Sequence, residues 1–320
     1  MSNNKPWQEV KNWGRWGKDD ERGILNETTP QHVLNAISLI KQGKVFDLET
    51  PRFKGIPAHP AHASFDLLSY ASPTGRRNMA RTDLSPVSNW NGKGGWLEHN
   101  EYGVAANTEI LIGPLHLGTH IDALNHMSFG ADDHFYNGYT EKEYWTNFGA
   151  MKCDTLTIQP IILRGVLLDV PGALGKPHLD PNHRITVEDI KRSEEFGKVE
   201  LKEGDVVLTR TGDRWPQCDL VGNAGLSLEA CRYLVEEKGA FLLGNDTTSF
   251  EYISAKGETS VPGHQNPVHE YLLTNMGVHI IELLMLNELA EAKAYEFCFV
   301  CAPSKFKGAT GMFTRPIAIV

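Results

Sequence analysis

The pattern of apolar and polar positions indicates secondary structure most clearly between residues 204 and 247. An apolar run at 206–208 indicates a strand, and Ser227 can cap a following helix that ends at Gly239. One face of that helix is apolar, and 240–243 is an unbroken apolar run typical of a fully buried strand. Strand, helix and strand in this order predict a βαβ unit.

A second helix is predicted to begin near Thr186, whose hydroxyl can cap it while Asp189 lies three residues further on. No repeat of about 20 to 50 residues and no Gly/Ser- or Pro-rich linker divides the chain. The pattern predicts an α/β fold with a substantial sheet. Apolar runs predict its further strands at 165–170, 277–284, 295–302 and 316–320.

The first thirty residues differ in pattern from the rest. They combine a charged run at 18–22 with three tryptophans, Trp7, Trp13 and Trp16. Aromatic anchors on a polar background indicate an arm that docks on the body of the protein or on a second subunit. The predicted organisation is an N-terminal arm at 1–30 and a single domain at 31–320.

The composition is that of an ordinary globular protein, with 41% hydrophobic and 22% charged residues among 320. The 40 acidic and 31 basic residues give a net charge of −9, which argues against nucleic acid or an anionic membrane as partner. The first ten residues lack the apolar region of a signal peptide, and the run at 280–286 is too short to span a membrane. We therefore expect a cytoplasmic location.

The cysteines do not indicate a disulfide framework, a redox site or a metal site. Five cysteines in a chain of this length do not resemble a secreted disulfide framework. Cys298 and Cys301 form a C-x-x-C flanked by apolar residues, without a second pair to complete a zinc site. Packing in a buried strand is therefore favoured over redox or metal chemistry.

Histidines are concentrated in one short region. Four of the 13 lie within 19 residues, where even spacing would place fewer than one. Imidazole and carboxylate are ligand types that suit zinc, manganese and iron. The region is therefore the first place to look for a metal site. Its histidines are His116, His120, His126 and His134.

The spacing within this region predicts a bend. On an ideal strand His116, His120 and Asp122 share one side, but His116 and His120 would lie about 13 Å apart. Metal bonds of about 2 Å then require the chain to turn, and Gly118 is placed to allow it. We expect a strand that ends in a tight turn bearing three ligands. His126 then becomes the candidate acid or base beside the metal.

Two later residues bear on the same site. Glu282 lies in an extended apolar run, where a carboxylate is costly to bury unless it is paired or bound to a cation. His279 precedes it by three residues and would point to the opposite face of a strand, so we expect a structural histidine.

The run from His116 to His126 resembles the signature of the cyclase-like metal-dependent hydrolase family, which includes bacterial kynurenine formamidase and isatin hydrolase. The resemblance implies that His116, His120 and Asp122 bind metal and that His126 is the catalytic acid/base. The stretches at 165–169, 244–249 and 301–318 also fit, so the resemblance covers roughly residues 100 to 320.

The same resemblance extends to a later pair of residues. It implies that His269 and Glu282 complete a binuclear site, or the second side of a mononuclear one. The opening at 16–26 is similar to the longer branch of the family. Leu124 and Met127 depart from its usual proline and phenylalanine, beside the expected catalytic residue.

The resemblance implies a swivelling β/β/α-type fold, with a mixed, partly barrel-like sheet flanked by helices. It implies a hydrolase that opens an amide bond of a cyclic amide or N-formyl arylamine, using metal-activated water and His126. The expected cofactor is one or two divalent ions, zinc or manganese. A small-molecule substrate and a homodimer or homotetramer are expected.

Two alternative functions stay open at this point. The same site suits a lactonase or cyclase acting on a small cyclic ester. A non-catalytic binding protein with a structural metal is the second alternative, and His126 is the feature that argues against it.

Overall fold

The computed structural model describes residues 11–58, 62–71, 107–147, 149–212 and 222–320. Their strands are β1 (Val45–Asp47), β2 (Asp66–Ala71), β3 (Thr108–Ile112), β4 (His120–Asp122), β5 (Trp145–Thr146), β6 (Gly149–Ala150), β7 (Ile161–Asp169), β8 (Arg184–Ile185), β9 (Val206–Arg210), β10 (Gly225–Leu226), β11 (Leu242–Asn245), β12 (His279–Glu282), β13 (Glu296–Cys301), β14 (Gly311–Phe313) and β15 (Ile317–Ile319).

The helices are short and lie between these strands. The α-helices are α1 (Pro30–Ile37), α2 (Glu141–Tyr144), α3 (Val170–Ala173), α4 (Val187–Gly197), α5 (Leu228–Arg232), α6 (Pro267–His269) and α7 (Asn287–Glu291). Two of them continue as π-helical turns, α5 through Tyr233–Glu237 and α6 through Glu270–Met276. Two 3-10 turns cover Gly23–Glu27 and Tyr136–Gly138.

Contacts divide the chain into two units, Met1–Pro51 with Leu115–Val320, and Arg52–Pro114. Within the second unit, β2 and β3 pair antiparallel. The predicted organisation into an arm at 1–30 and one domain at 31–320 stays a prediction. No helix in the described ranges is long and apolar enough to cross a bilayer.

The first unit is built on a nine-stranded mixed sheet, in the order β1-β15-β13-β7-β9-β11-β12-β4-β14. The central strands β7, β9, β11 and β12 run parallel, and the flanking strands pair antiparallel. Buried apolar side chains from both faces of β7, β9 and β11 form the core. Coverage of both faces explains their unbroken apolar runs.

The sheet is strongly curled. β14 and β15 stand seven places apart in the strand order, yet only three residues, 314–316, connect them. Seven steps in a flat sheet would measure about 34 Å, whereas that connection reaches about 14 Å at most. The two ends of the sheet therefore approach each other, and the predicted mixed, partly barrel-like α/β sheet is confirmed.

The predicted βαβ unit is formed by β9, α5 and β11, which pairs parallel to β9. Ser227 caps α5 by accepting a hydrogen bond from the Ala230 backbone N–H. Thr186 and Asp189 form a capping box at the start of α4, because each side chain accepts from the other residue's backbone N–H. Both helix starts are therefore confirmed.

The other predicted strands are also present. β7, β12, β13 and β15 lie within or overlap the ranges expected for them. Cys298 and Cys301 are buried on β13, so the prediction of strand packing is confirmed.

The described part of the N-terminal arm docks on its own chain. The Trp13 indole N–H donates to the Thr274 carbonyl at 2.7 Å, and the Tyr136 hydroxyl donates to Asp20 at 2.7 Å. Gly23 has φ of +61°, and a Cβ there would overlap the Gly277 backbone. These residues of the arm therefore contact the body of the protein, which is one of the two docking sites predicted for it. Trp7 lies outside the described residues.

Candidate active site

The register between β4 and β12 places the first two candidate ligands side by side. The strands pair antiparallel with Glu282 opposite His120, and His120 Nε2 lies 3.7 Å from Glu282 Oε2. Asp122 is two residues along β4 and therefore projects from the same face. Its Oδ1 lies 3.5 Å from His120 Nε2.

His116 reaches the same place from the bend that precedes β4. Gly118 adopts φ of +64°, as the spacing predicted. The Nδ1 atom of His116 lies 2.8 Å from Asp122 Oδ1. The prediction of a strand followed by a ligand-bearing turn holds only in part: β3 precedes the bend in the chain, but His120 and Asp122 lie on a further strand, β4, and not in the turn. The cause is the pairing of β4 with β12 and β14, which extends the chain after the bend.

The bend is anchored by Thr119, whose hydroxyl donates to the Leu283 carbonyl at 2.6 Å. Leu283 follows Glu282 directly and has a left-handed backbone with φ of +56°. Thr50 adds backbone and side-chain hydrogen bonds to Thr119. These contacts fix the start of β4 relative to the end of β12.

His269 completes the cluster from the last residue of α6. Its Nε2 lies 3.4 Å from Glu282 Oε1 and 4.0 Å from Asp122 Oδ2. The side chains therefore form two groups of three that share Asp122, with the ligand atoms of each group within 4.8 Å of one another. The first group is His116, His120 and Asp122, and the second is Asp122, His269 and Glu282.

The chemistry of these groups fits a divalent metal. Three imidazoles and two carboxylates are the donors that zinc and manganese accept. His120 Nδ1 donates to the Gly118 carbonyl at 2.7 Å, which leaves the Nε2 lone pair facing the carboxylates. Among the described residues, the buried Asp122 Oδ2 has no hydrogen-bond partner, as expected of a ligand atom.

The charge balance favours a cation at the same place. Burial opposes charge on His120 and His269, but the neighbouring carboxylates outweigh it and raise the pKa of both imidazoles. Burial also opposes charge on Asp122, yet the surrounding imidazoles hold the pKa of that carboxyl well below its usual range. The cluster therefore attracts positive charge, and a divalent ion would satisfy that attraction.

His126 lies against the cluster without belonging to either group of three. Its ring stacks on that of His116 with centroids 3.9 Å apart, and its centroid lies 6.3 Å from that of His269. Burial lowers the pKa of His126 well below its usual value, and the neighbouring imidazoles act in the same direction. A neutral imidazole beside the cluster can accept a proton.

The structure thus brings together all six residues singled out from the sequence, namely His116, His120, Asp122, His126, His269 and Glu282. His279 belongs to neither group, and its Nδ1 donates to the Asp122 backbone carbonyl at 2.8 Å. Burial lowers the pKa of His279 to about 4, so the ring is neutral, in keeping with the expected structural role.

Sequence reasoning missed three contributors to the site. Thr310 Oγ1 lies 3.0 Å from His116 Nε2, and a Cβ on Gly311 would overlap the His116 ring. Glu251 is fully buried and contacts His269 at 2.6 Å. Its position between Phe250 and Tyr252 was a usable signal, because an acid among aromatic residues needs a partner when buried.

Fold and cluster together define a class, that of α/β proteins with a His/Asp/Glu centre able to hold a divalent metal. Comparisons with known proteins add the family. The family described as "Putative cyclase" matches residues 46–252. A crystal structure of a novel cyclase is 28% identical, with 99% of each chain covered and a TM-score of 0.80. No curated protein sequence matches.

Two isatin hydrolases share the fold at lower identity. Isatin hydrolase A from Labrenzia aggregata, bound to benzyl benzoate, is 20% identical with a TM-score of 0.55, covering 87% of this chain and 93% of that one. The enzyme from Ralstonia solanacearum is 16% identical with a TM-score of 0.57, covering 91% and 97%. The chain belongs to the cyclase family, so the predicted family and the prediction of an enzyme are confirmed.

Proposed function

We propose that this protein is a metal-dependent hydrolase that opens the amide bond of a small cyclic amide or N-formyl arylamine. The observation that carries the proposal is the stacking of His126 on His116, which places an imidazole beside two groups of candidate metal ligands that share Asp122. The isatin hydrolases of the same fold support the choice of a cyclic amide.

The groups His116, His120, Asp122 and Asp122, His269, Glu282 would hold one or two divalent ions, zinc or manganese. Such an ion would supply Lewis acidity, which would polarise a carbonyl oxygen and lower the pKa of water to near neutrality. The arrangement of both groups on one buried face keeps these ligands away from bulk water, since all but His116 are buried.

His126 supplies the proton transfers in this proposal. A ring nitrogen of His126 takes a proton from the attacking water while the hydroxyl adds to the carbonyl carbon. The same imidazolium then donates that proton to the amide nitrogen as the C–N bond breaks, which yields an amine and a carboxylic acid, and the acid then releases its own proton to water. Asp122 favours the imidazolium, because its carboxylate lowers the energy of a positive charge on His126.

A cavity in the first unit is large enough to hold a small molecule, and none of the described residues that line it belongs to the cluster. It has a volume of about 630 Å³ and is lined in part by Tyr252, Thr259 and His264. His264 hydrogen-bonds Glu270, the residue after His269, and its ring lies 5.9 Å from that of Phe129. The volume falls in the range of small-molecule sites.

A substrate panel with and without metal tests this function. The protein is stripped with chelator, reloaded with zinc or with manganese, and assayed on isatin, on formanilide and on a lactone of matched ring size. We expect hydrolysis of an amide only in the reloaded protein. Faster hydrolysis of the lactone would replace the amidase by the lactonase, and no hydrolysis of any compound would favour the non-catalytic binding protein.

The remaining expectations concern partners and location. A homodimer or homotetramer and a cytoplasmic location stay predictions. Sedimentation of the purified protein at micromolar concentration tests the first of them.

A further inference from the structure

Glu251 is a buried carboxylate that lies beside the second group of ligands. The residue has no exposed surface, and its backbone forms a bridge with Leu226 of β10. The backbone N–H of Leu226 donates to Phe250, and that of Tyr252 donates to Leu226, so the chain is held on both sides of Glu251. A Cβ on Gly225 would overlap the Glu251 backbone, which shows how closely these segments pack.

Among the described residues, this carboxylate accepts hydrogen bonds from Val268 and His269, the last two residues of α6. Oε1 accepts from His269 Nδ1 at 2.6 Å and from the His269 backbone N–H at 3.2 Å. Oε2 accepts from the Val268 backbone N–H at 3.2 Å. An ionised carboxylate can accept several hydrogen bonds, and burying it is tolerable only when they are made.

We infer that Glu251 is a positioning residue that orients His269 toward a metal ion. Because Nδ1 donates its proton to Glu251, the lone pair is on Nε2, the atom that faces Glu282 and Asp122. A carboxylate behind a ligating histidine fixes the tautomer and ring orientation and raises the basicity of the ligand. The inference rests on the proposed metal-dependent function.

Glu251 acts on one of the two ligand groups. Its side chain hydrogen-bonds His269, which belongs to the group with Asp122 and Glu282. In the other group, the backbone carbonyl of Gly118 takes the equivalent hydrogen bond from His120 Nδ1. Loss of Glu251 should therefore weaken one metal position and spare the other.

Glu251→Gln is the primary variant, because it keeps the size of the side chain. Its amide has one acceptor oxygen for the three N–H groups of His269 and Val268, so at least one of them faces the NH₂ group, and the negative charge behind His269 is lost. Glu236→Gln is the matched control. Glu236 accepts from the Tyr271 hydroxyl at 2.8 Å, so it contacts the same helical segment two residues beyond His269 without touching the cluster.

The experiment measures cobalt affinity by competition with a chromophoric chelator, together with the visible spectrum of the cobalt protein. In Glu251→Gln we expect one ion to bind about 10- to 100-fold more weakly, with an altered spectrum. We expect wild-type affinities and spectrum in Glu236→Gln. Circular dichroism of the metal-free proteins shows whether each variant is folded. If Glu251→Gln is not folded, Glu251→Asp, which retains the charge, is measured in its place.

The outcomes separate the inference from the proposed function. If Glu251→Gln is folded and binds cobalt as tightly as Glu236→Gln with the same spectrum, the positioning role is overturned. The positioning role is also overturned if the wild-type protein binds a single ion and Glu251→Gln binds that ion with the same affinity. A wild type that binds cobalt but hydrolyses nothing overturns the hydrolase, whereas selective weakening in Glu251→Gln still supports the role of Glu251.

Discussion

The two ligand groups that share Asp122 are assembled in different ways. His116, His120 and Asp122 come from seven consecutive residues, and a bend at Gly118 folds them together. His269 and Glu282 come from a helix and a strand about 150 residues further along the chain.

The two groups also differ in what orients their imidazole rings. A backbone carbonyl, that of Gly118, holds the ring of His120, whereas a side chain, that of Glu251, holds the ring of His269. The first group therefore depends on local backbone geometry, and the second depends on the packing of several separate elements. Distant substitutions should disturb the second group more readily than the first.

Replacing Asp122, which both groups share, should weaken metal binding at both groups alike. This is the largest effect on metal affinity that we expect. Asp122→Asn removes the charge common to both, so both metal affinities should fall by more than about 100-fold, the upper limit for an outer-shell partner. Turnover should fall to that of the metal-free protein. Elemental analysis of metal per chain is the measurement, and exposed Asp132→Asn is the control. A variant that retains two ions would contradict the shared role.

Removing His126, the proposed acid/base, should leave both groups intact and stop the hydrolysis. His126→Ala should lower kcat by about 10²- to 10⁴-fold, the usual contribution of a positioned proton donor or acceptor. Metal content should stay at the wild-type value, because His126 belongs to neither group. Steady-state kinetics with parallel metal analysis checks both statements. Unchanged kcat would reject the assigned role of His126.

Gly311→Ala should weaken the first group and spare the second. Gly311 pairs with Asp122 across β14 and β4, and an added Cβ would overlap the His116 ring. The ring must move, so we expect the affinity of the first position to fall by about 10-fold, as for a disturbed outer-shell contact. Chelator competition resolves the two positions.

Gly197→Ala is the control for this variant, since the atoms nearest to its added Cβ belong to Tyr295, which is not a residue of the cluster. Equal losses at both positions of Gly311→Ala would mean that the groups cannot be perturbed separately.

The smallest expected effect on the cluster is that of the N-terminal arm. Trp13 is half-buried and donates to Thr274, near the end of the helical segment that begins with α6. Trp13→Ala should lower the free energy of unfolding by about 1–3 kcal/mol through lost packing and a lost hydrogen bond. Metal affinity should not change, because Glu251 holds the other end of the segment. Urea denaturation tests the predicted loss of stability, and cobalt titration tests the unchanged metal affinity. Weaker cobalt binding would show that the two ends of the helical segment move together.

The contrast between the groups also explains what could be predicted from the sequence. The bend at Gly118 and the βαβ unit of β9, α5 and β11 follow from local spacing and capping. The clustering of His269 and Glu282 with Asp122 came from the family resemblance, because no local rule brings such distant residues together.

Other parts of the site depend on register and were not accessible. The pairing of Gly311 with Asp122 is fixed by which strands are neighbours. The position of β4 after the bend has the same origin. The contact of Glu251 with His269 likewise requires the bridge to β10.

The connection at 314–316 links two places that are distant in the strand order. β14 lies against β4, which carries His120 and Asp122, and β15 lies between β1 and β13. Drawing the segment 311–319 out of the sheet would expose backbone amides of β4, β1 and β13 in one event. The amides of these strands that bond to the segment should then exchange in one cooperative event, which links the strand that carries His120 and Asp122 to the opposite side of the sheet.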